Sequence, residues 1–379
     1  MKNFQYICLV VLSLLAAGCA SKQGKKEFSD YYSATKNGNF DNSKKRNHQV
    51  FSADFKIDTI YRSMKGPIDE STFYLADSGD IVWLTGYKVE VINSKGEVIE
   101  PGFICHNNLN LDSIRRFPWQ SQNFDYQNRV FTLTQGATEL SLPEGYGVPI
   151  PGEQGFKSIF QALNHNYPEV DTTIKHRVTI AYFLDSEIDF KLKPLYMQTL
   201  YVVKQYQGPL GSMGEKPKED ALQVESIGKD NYHPAQQPTC GVDMLANNKS
   251  LNGVDMYYDN YGRKYTGHWK INPGKEVLAM NVDRMLNLNQ KRKLVMAVAH
   301  VHPFCTEIAL MNETKQEKIV SLTMKQAEEG IGLNEIQVYI PTEDIWLDPS
   351  NKYALASFYH NTSSDTLSAM SVMYLYFEE

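Results

Sequence analysis

His300-Val301-His302 is the residue pair with the clearest chemical potential. It closes an apolar run, Leu294-Val295-Met296-Ala297-Val298-Ala299, that reads as a strand. Side chains on a strand alternate faces, so both imidazoles project to one side with their roots ~7 Å apart. They can converge on one ion, and imidazole suits zinc, copper, iron or nickel. The run 369–377 supplies Met370 and Met373. A thioether is a soft ligand that favours Cu(I), and equally an ordinary core filler. Two further imidazoles stand in the first half. His106 lies in the strand pattern Phe103-Ile104-Cys105-His106-Asn107-Asn108-Leu109, and His165 in Leu163-Asn164-His165-Asn166. His176, His268 and His360 are additional candidates, whereas His48 and His233 sit in polar, loop-like contexts. Asp112, Arg115 and Arg116 follow the His106 strand and are candidates for contact with a polar substrate.

The elements that must position these groups read as short strands. Residues 81–92 alternate in their second half, with Tyr87, Val89 and Val91 on one face, and Asn93-Ser94-Lys95-Gly96 turns the chain into 97–99. Residues 103–111, 131–133, 141–142, 177–184 and 198–203 continue the pattern. Residues 145–155 are rich in Gly and Pro and read as loop, and 156–163 fit a short helix or a strand. After a Gly-, Pro- and Asn-rich connection at 208–252, strands resume at 266–271, 277–280, 293–301, 307–311, 318–323, 336–340, 353–359 and 369–377. Two series of short strands predict an all-β chain of two β-sandwich domains in tandem.

The ends and composition set the context. Met1-Lys2-Asn3, an apolar stretch 4–17 and Leu15-Ala16-Ala17-Gly18-Cys19 resemble a bacterial lipoprotein signal. The expected organisation is a signal peptide over 1–18, a lipidated Cys19 with a polar tether over 19–49, a first sandwich over 50–205, and a connection with a second sandwich over 206–379. Such a chain is held to a membrane of the bacterial cell envelope through its N-terminal lipid. The 379 residues carry a net charge of −6, which gives no reason to expect nucleic-acid binding. Cys105, Cys240 and Cys305 remain beyond the lipid site and allow one disulfide at most, so this is no disulfide scaffold.

Taken in order, the motifs resemble the type II copper, ascorbate-dependent monooxygenases, the family of peptidylglycine α-hydroxylating and dopamine β-monooxygenases. The similarity is greater to its bacterial and plant nodulin-like branch. It rests on Trp83-Leu84-Thr85-Gly86-Tyr87, Phe103-Ile104-Cys105-His106, Leu142-Pro143-Glu144-Gly145-Tyr146-Gly147, residues 163–166, Asn272-Pro273-Gly274-Lys275, Ala299-His300-Val301-His302, and Tyr359-His360-Asn361-Thr362 followed by 370–376. The resemblance implies two sandwiches of jelly-roll type with one copper in each. His300, His302 and Met370 would hold the dioxygen-binding copper, with Met373 as the alternative in a shifted alignment. His106 and His165 would belong to the electron-supplying copper. The sequence departs from the family at Asn107, where the well-studied enzymes carry a second adjacent histidine, leaving His176 as a possible substitute. It departs again at Pro303-Phe304-Cys305, where Gly is frequent. Cys305 is open to three readings: an extra soft ligand, a disulfide partner of Cys240 or Cys105, or a buried thiol.

The leading expectation is a lipid-anchored monooxygenase that hydroxylates a C–H of a small molecule or peptide with dioxygen and ascorbate. A copper-binding lipoprotein for acquisition, buffering or delivery is the alternative, and Asn107 favours it. A ligand-binding lipoprotein without metal is the third reading.

Overall fold

The structure, a computed structural model, describes residues 36–378 apart from 64, 78, 113–127, 206–260, 262 and 264. The expected signal peptide, Cys19, Arg115, Arg116, His233 and Cys240 lie outside the described residues. So does most of the Gly- and Pro-rich connection.

The described residues are almost entirely β, and sixteen principal strands among them divide eight and eight. The first eight are β1 Arg46–Phe51, β2 Ile68–Phe73, β3 Ile81–Asn93, β4 Ile104–Leu111, β5 Arg129–Thr134, β6 Tyr146–Pro151, β7 Phe156–Ala162 and β8 Thr172–Leu184. They form two facing sheets of order β1-β8-β3-β6 and β2-β7-β4-β5, every pair antiparallel. The second eight are β9 Lys193–Tyr201, β10 Gly274–Asn281, β11 Arg292–Val301, β12 Cys305–Asn312, β13 Glu317–Gln326, β14 Ile345–Leu347, β15 Tyr353–Asn361 and β16 Ser371–Glu378. Their order repeats the first with each number raised by eight, β9-β16-β11-β14 and β10-β15-β12-β13. Eight strands in these two four-stranded orders are a jelly roll, so the chain is two jelly-roll sandwiches in tandem. The rolls are not separate bodies. Strands β6 and β9 join in a short parallel pair, Lys193 with Tyr146 and Pro194 with Gly147, so one sheet runs through both. One hydrophobic cluster likewise draws on both rolls.

Three expectations are corrected here. The boundary near 205 falls earlier, because β9 pairs over seven positions with β16 and is the first strand of the second roll. The connection at 208–252 is therefore an insertion after that strand rather than a link between domains. The tether expected to reach residue 49 ends sooner, since β1 starts at Arg46. Its side chains are largely exposed, which hid the strand from a search for apolar periodicity; His48 sits on it and stacks on Phe73 at 5.1 Å. Finally, Tyr146–Pro151 is strand rather than loop, and its prolines face Trp83 and Ile81 on β3. A proline removes one ladder donor, which a strand with only two parallel pairs on its other side tolerates. Residues 156–162, open between helix and strand, are strand.

Candidate metal centre

Strand β4 is buried on both faces, and alternation separates its side chains cleanly. Beyond the irregularity at Cys105, whose Sγ lies 3.9 Å from Ser63 Oγ, the odd residues point into the first roll, where Asn107 Nδ2 donates to Nδ1 of His176 on the opposite sheet at 3.0 Å. The even residues point out of that roll toward the second. There the His106 ring lies 6.3 Å from that of His300, centroid to centroid. The second roll offers the outer face of β11 and β16. Residues paired directly across a ladder share a face, and His300 pairs with Val372 while Ala299 pairs with Met373. Tyr376, on the same side of β16 as Val372, reaches the first roll and donates to the Val130 carbonyl at 3.2 Å. His300 and His302 thus face the first roll together, as the i, i+2 spacing predicts.

The histidines form a chain across this interface. The rings of His300 and His302 are 6.1 Å apart, and those of His302 and His268 5.8 Å. Imidazoles bound to one ion through N–metal bonds of ~2 Å have centroids ~5–6 Å apart. These rings lie at or just beyond the outer edge of that range. Among the described residues, no three His, Cys, Asp or Glu side chains converge on one point. The cluster therefore brings together His106, expected in one copper site, and His300 with His302, expected in another. His165 joins as an electrostatic neighbour of His302, which ties the loop after β7 to the same place. His268 has stronger standing than its sequence context gave it. His176 is engaged by Asn107 inside the first roll, with His106 as an electrostatic neighbour across β4. A histidine at 107 would share the inward face that Asn107 takes, on the opposite side of the strand from His106.

The tautomer of His302 follows from its contacts. Nδ1 stands 3.1 Å from the Ser368 carbonyl, which can only accept, so Nδ1 carries the proton. The lone pair is on Nε2, where the Ser63 hydroxyl donates at 3.2 Å. A carbonyl holding Nδ1–H is the arrangement that orients metal-ligating histidines. His300 is different. It is buried, and neither ring nitrogen has a hydrogen-bond partner. Burial first, then the neighbouring imidazoles, keep His300 neutral well below the ordinary histidine range. Burial likewise lowers His302 to about 4. Neutral imidazole is the metal-binding form.

Register distinguishes the two methionines. His302 N–H donates to the Met370 carbonyl at 3.2 Å, which extends the β11–β16 ladder by one step. Met370 lies just before β16, in the break after Leu367–Ala369, and alternation continued from Val372 would put it on the histidine side, whereas Met373 is on the inner side with Ser371. Ser371 Oγ meets Tyr359 OH of β15, across the second roll, at 3.1 Å. Between His302 and β12 the chain turns through Phe304, whose φ of 70° favours glycine. Here the Phe304 N–H donates to Gln326 Oε1 at 2.7 Å and its carbonyl accepts from His360 N–H at 2.9 Å, which hold the turn. Cys305 is a buried thiol whose Sγ donates to the Glu307 carbonyl at 3.5 Å, and burial raises its pKa to about 12. Neither Cys105 nor Cys305 is in a disulfide. Ser63 is the participant that sequence reading missed, since a lone serine carries no motif.

No protein-family model matches the chain, and no curated protein matches it. Among solved structures it is similar to N-glycanase F, at 7% identity over 89% of this chain and 96% of that one, with a TM-score of 0.35. It is similar to PNGase F, a glycosylasparaginase from Flavobacterium meningosepticum, at 7% identity over 88% and 96%, with a TM-score of 0.34. The STIV MCP follows at 8% identity over 87% and 96%, with a TM-score of 0.28.

Proposed function

We propose that the protein binds copper between its two rolls, and that it acts as a copper-binding lipoprotein of the bacterial cell envelope. His300 and His302 supply the central nitrogen ligands, His106 approaches from the first roll, and Met370 stands on the same side as a soft ligand. One observation carries this reading. A neutral imidazole has one donor and one acceptor, and His300 has both buried without a partner. Such a group is costly unless something fills its environment. A copper ion would meet one nitrogen of His300 and, in place of the Ser63 hydroxyl, the His302 Nε2 lone pair, and it suits the mixed imidazole and thioether set. Bound copper supplies one-electron oxidation and reduction. The chain itself supplies orientation, through Ser368 on His302, and a shielded setting between two sheets.

Hydroxylation of a small molecule or peptide with ascorbate as reductant is the second reading, favoured by the position of Met370 on the histidine side. The test is metal content per chain after copper loading and removal of loose ions. Copper retained by the native chain and lost when His300 and His302 are both replaced by Ala supports the assignment. Retention unaffected by the double replacement overturns it. Ascorbate-dependent oxygen uptake by the loaded protein then separates turnover from binding.

A further inference from the structure

The outward face of β4 carries a second buried polar group that the copper assignment does not use. Asn108 and Asn110 follow His106 at two-residue steps, and Arg129 of β5 pairs with Asn110. The relative exposures are 1% for each asparagine and 8% for Arg129. Arg129 Nε donates to Asn110 Oδ1 at 3.1 Å, and Thr132 Oγ1 donates to Asn108 Oδ1 at 2.5 Å. A guanidinium has no acceptor, so the contact with Arg129 fixes which end of the Asn110 amide is oxygen. With both amide oxygens engaged, the atoms left without a partner are all donors. Asn108 Nδ2, Asn110 Nδ2 and Arg129 Nη2 are each buried without a hydrogen-bond partner. A buried positive charge beside unanswered donors is costly. The group that answers all three is acceptor-only and negative. A planar carboxylate does so best, because it can take two parallel N–H bonds from a guanidinium and still accept from amides.

We propose that Arg129, Asn108 and Asn110 form a binding site for the carboxylate of a small organic acid between the rolls, beside the histidine cluster. The site does not depend on copper. An acid held there lies next along β4 to His106.

The test is a thermal melt of the full chain in a zwitterionic buffer free of small anions, titrated separately with formate, acetate, chloride and phosphate. Binding to the folded state raises the midpoint with the logarithm of concentration, by ~4 °C at a hundredfold excess over Kd for a chain of this size. Formate and acetate are expected to do this, and chloride and phosphate to do little. Asn110→Asp places a carboxylate inside the site. It is expected to raise the anion-free midpoint and to remove the response to formate. No midpoint change in the native chain with any carboxylate overturns the proposal, with no variant needed. An Asn110→Asp protein that responds to formate as the native chain does overturns the placement. Chloride or phosphate acting as strongly as formate overturns the carboxylate assignment.

Discussion

His300 and His302 are the same residue type two positions apart, yet their surroundings ask different things of them. His302 is tied at both nitrogens, to the Ser368 carbonyl and the Ser63 hydroxyl. His300 is tied at neither. Removing a group whose buried partners remain leaves those partners unsatisfied, whereas removing an unsatisfied group relieves its cost. His300→Leu is therefore expected to leave the metal-free protein as stable as the native chain or ~1–3 kcal/mol more stable. His302→Leu should cost ~0.5–1.5 kcal/mol, because it gives up the hydrogen bonds to the Ser368 carbonyl and the Ser63 hydroxyl. Both variants should lose tight copper. Urea denaturation of the metal-free forms, read beside copper retention, checks this. A His300→Leu protein that is strongly destabilised without metal would mean that His300 serves the fold, and the copper assignment would lose its main support.

At the scale of elements, β11 and β16 convert sequence spacing into a division of labour. Their inner faces belong to the core of the second roll, and their outer faces to the interface with the first. Met370 and Met373 differ by three positions and so fall on opposite sides. Met373→Ala is expected to cost ~2–5 kcal/mol, as truncation of a packed methionine does, and to leave copper stoichiometry unchanged. Met370→Ala should weaken Cu(I) retention ~10-fold or more against a competing chelator, beyond what its effect on stability explains. The opposite pattern would mean that the strand lies in the shifted register. This level was legible in the sequence where a strand had one apolar face or two. Residues 81–92, 104–111 and 293–301 read correctly because burial imposes a pattern, and 371–377 did too, although the expected strand from 369 breaks at Met370. Strand β1 did not, being mostly exposed, and β6 did not, because Gly147, Pro149 and Pro151 disguise it as a loop. Nor did the sequence reveal that His106 meets His300. That meeting depends on how one roll's outer face lies against the other's, and no local pattern encodes it.

The whole molecule is two copies of one strand order fused through a shared sheet, with titratable groups buried at several depths. His176 is sealed inside the first roll against Asn107, while His300 and His302 are sealed between the rolls. Burial lowers all three, His176 and His302 to about 4. In the unfolded chain each takes up a proton near 6.5. Between pH 6.5 and 4 the unfolded state thus binds more protons than the folded one, and stability falls as the pH falls. It is complete above 6.5 and declines with a slope of up to ~4 kcal/mol per pH unit near pH 5, ~1.4 for each histidine. His176→Gln preserves an acceptor for Asn107 and cannot titrate. It is expected to remove about a third of that slope and leave the neutral-pH midpoint within ~1 kcal/mol of native. Copper should defend the remainder, because protons and metal compete for the same nitrogens of His300 and His302. Denaturation of metal-free and copper-loaded protein from pH 7 to 4 tests both points. If the metal-free slope is the same in the His176→Gln variant, that histidine is not buried neutral, and the packing of β4 against β8 at Asn107 is not as described.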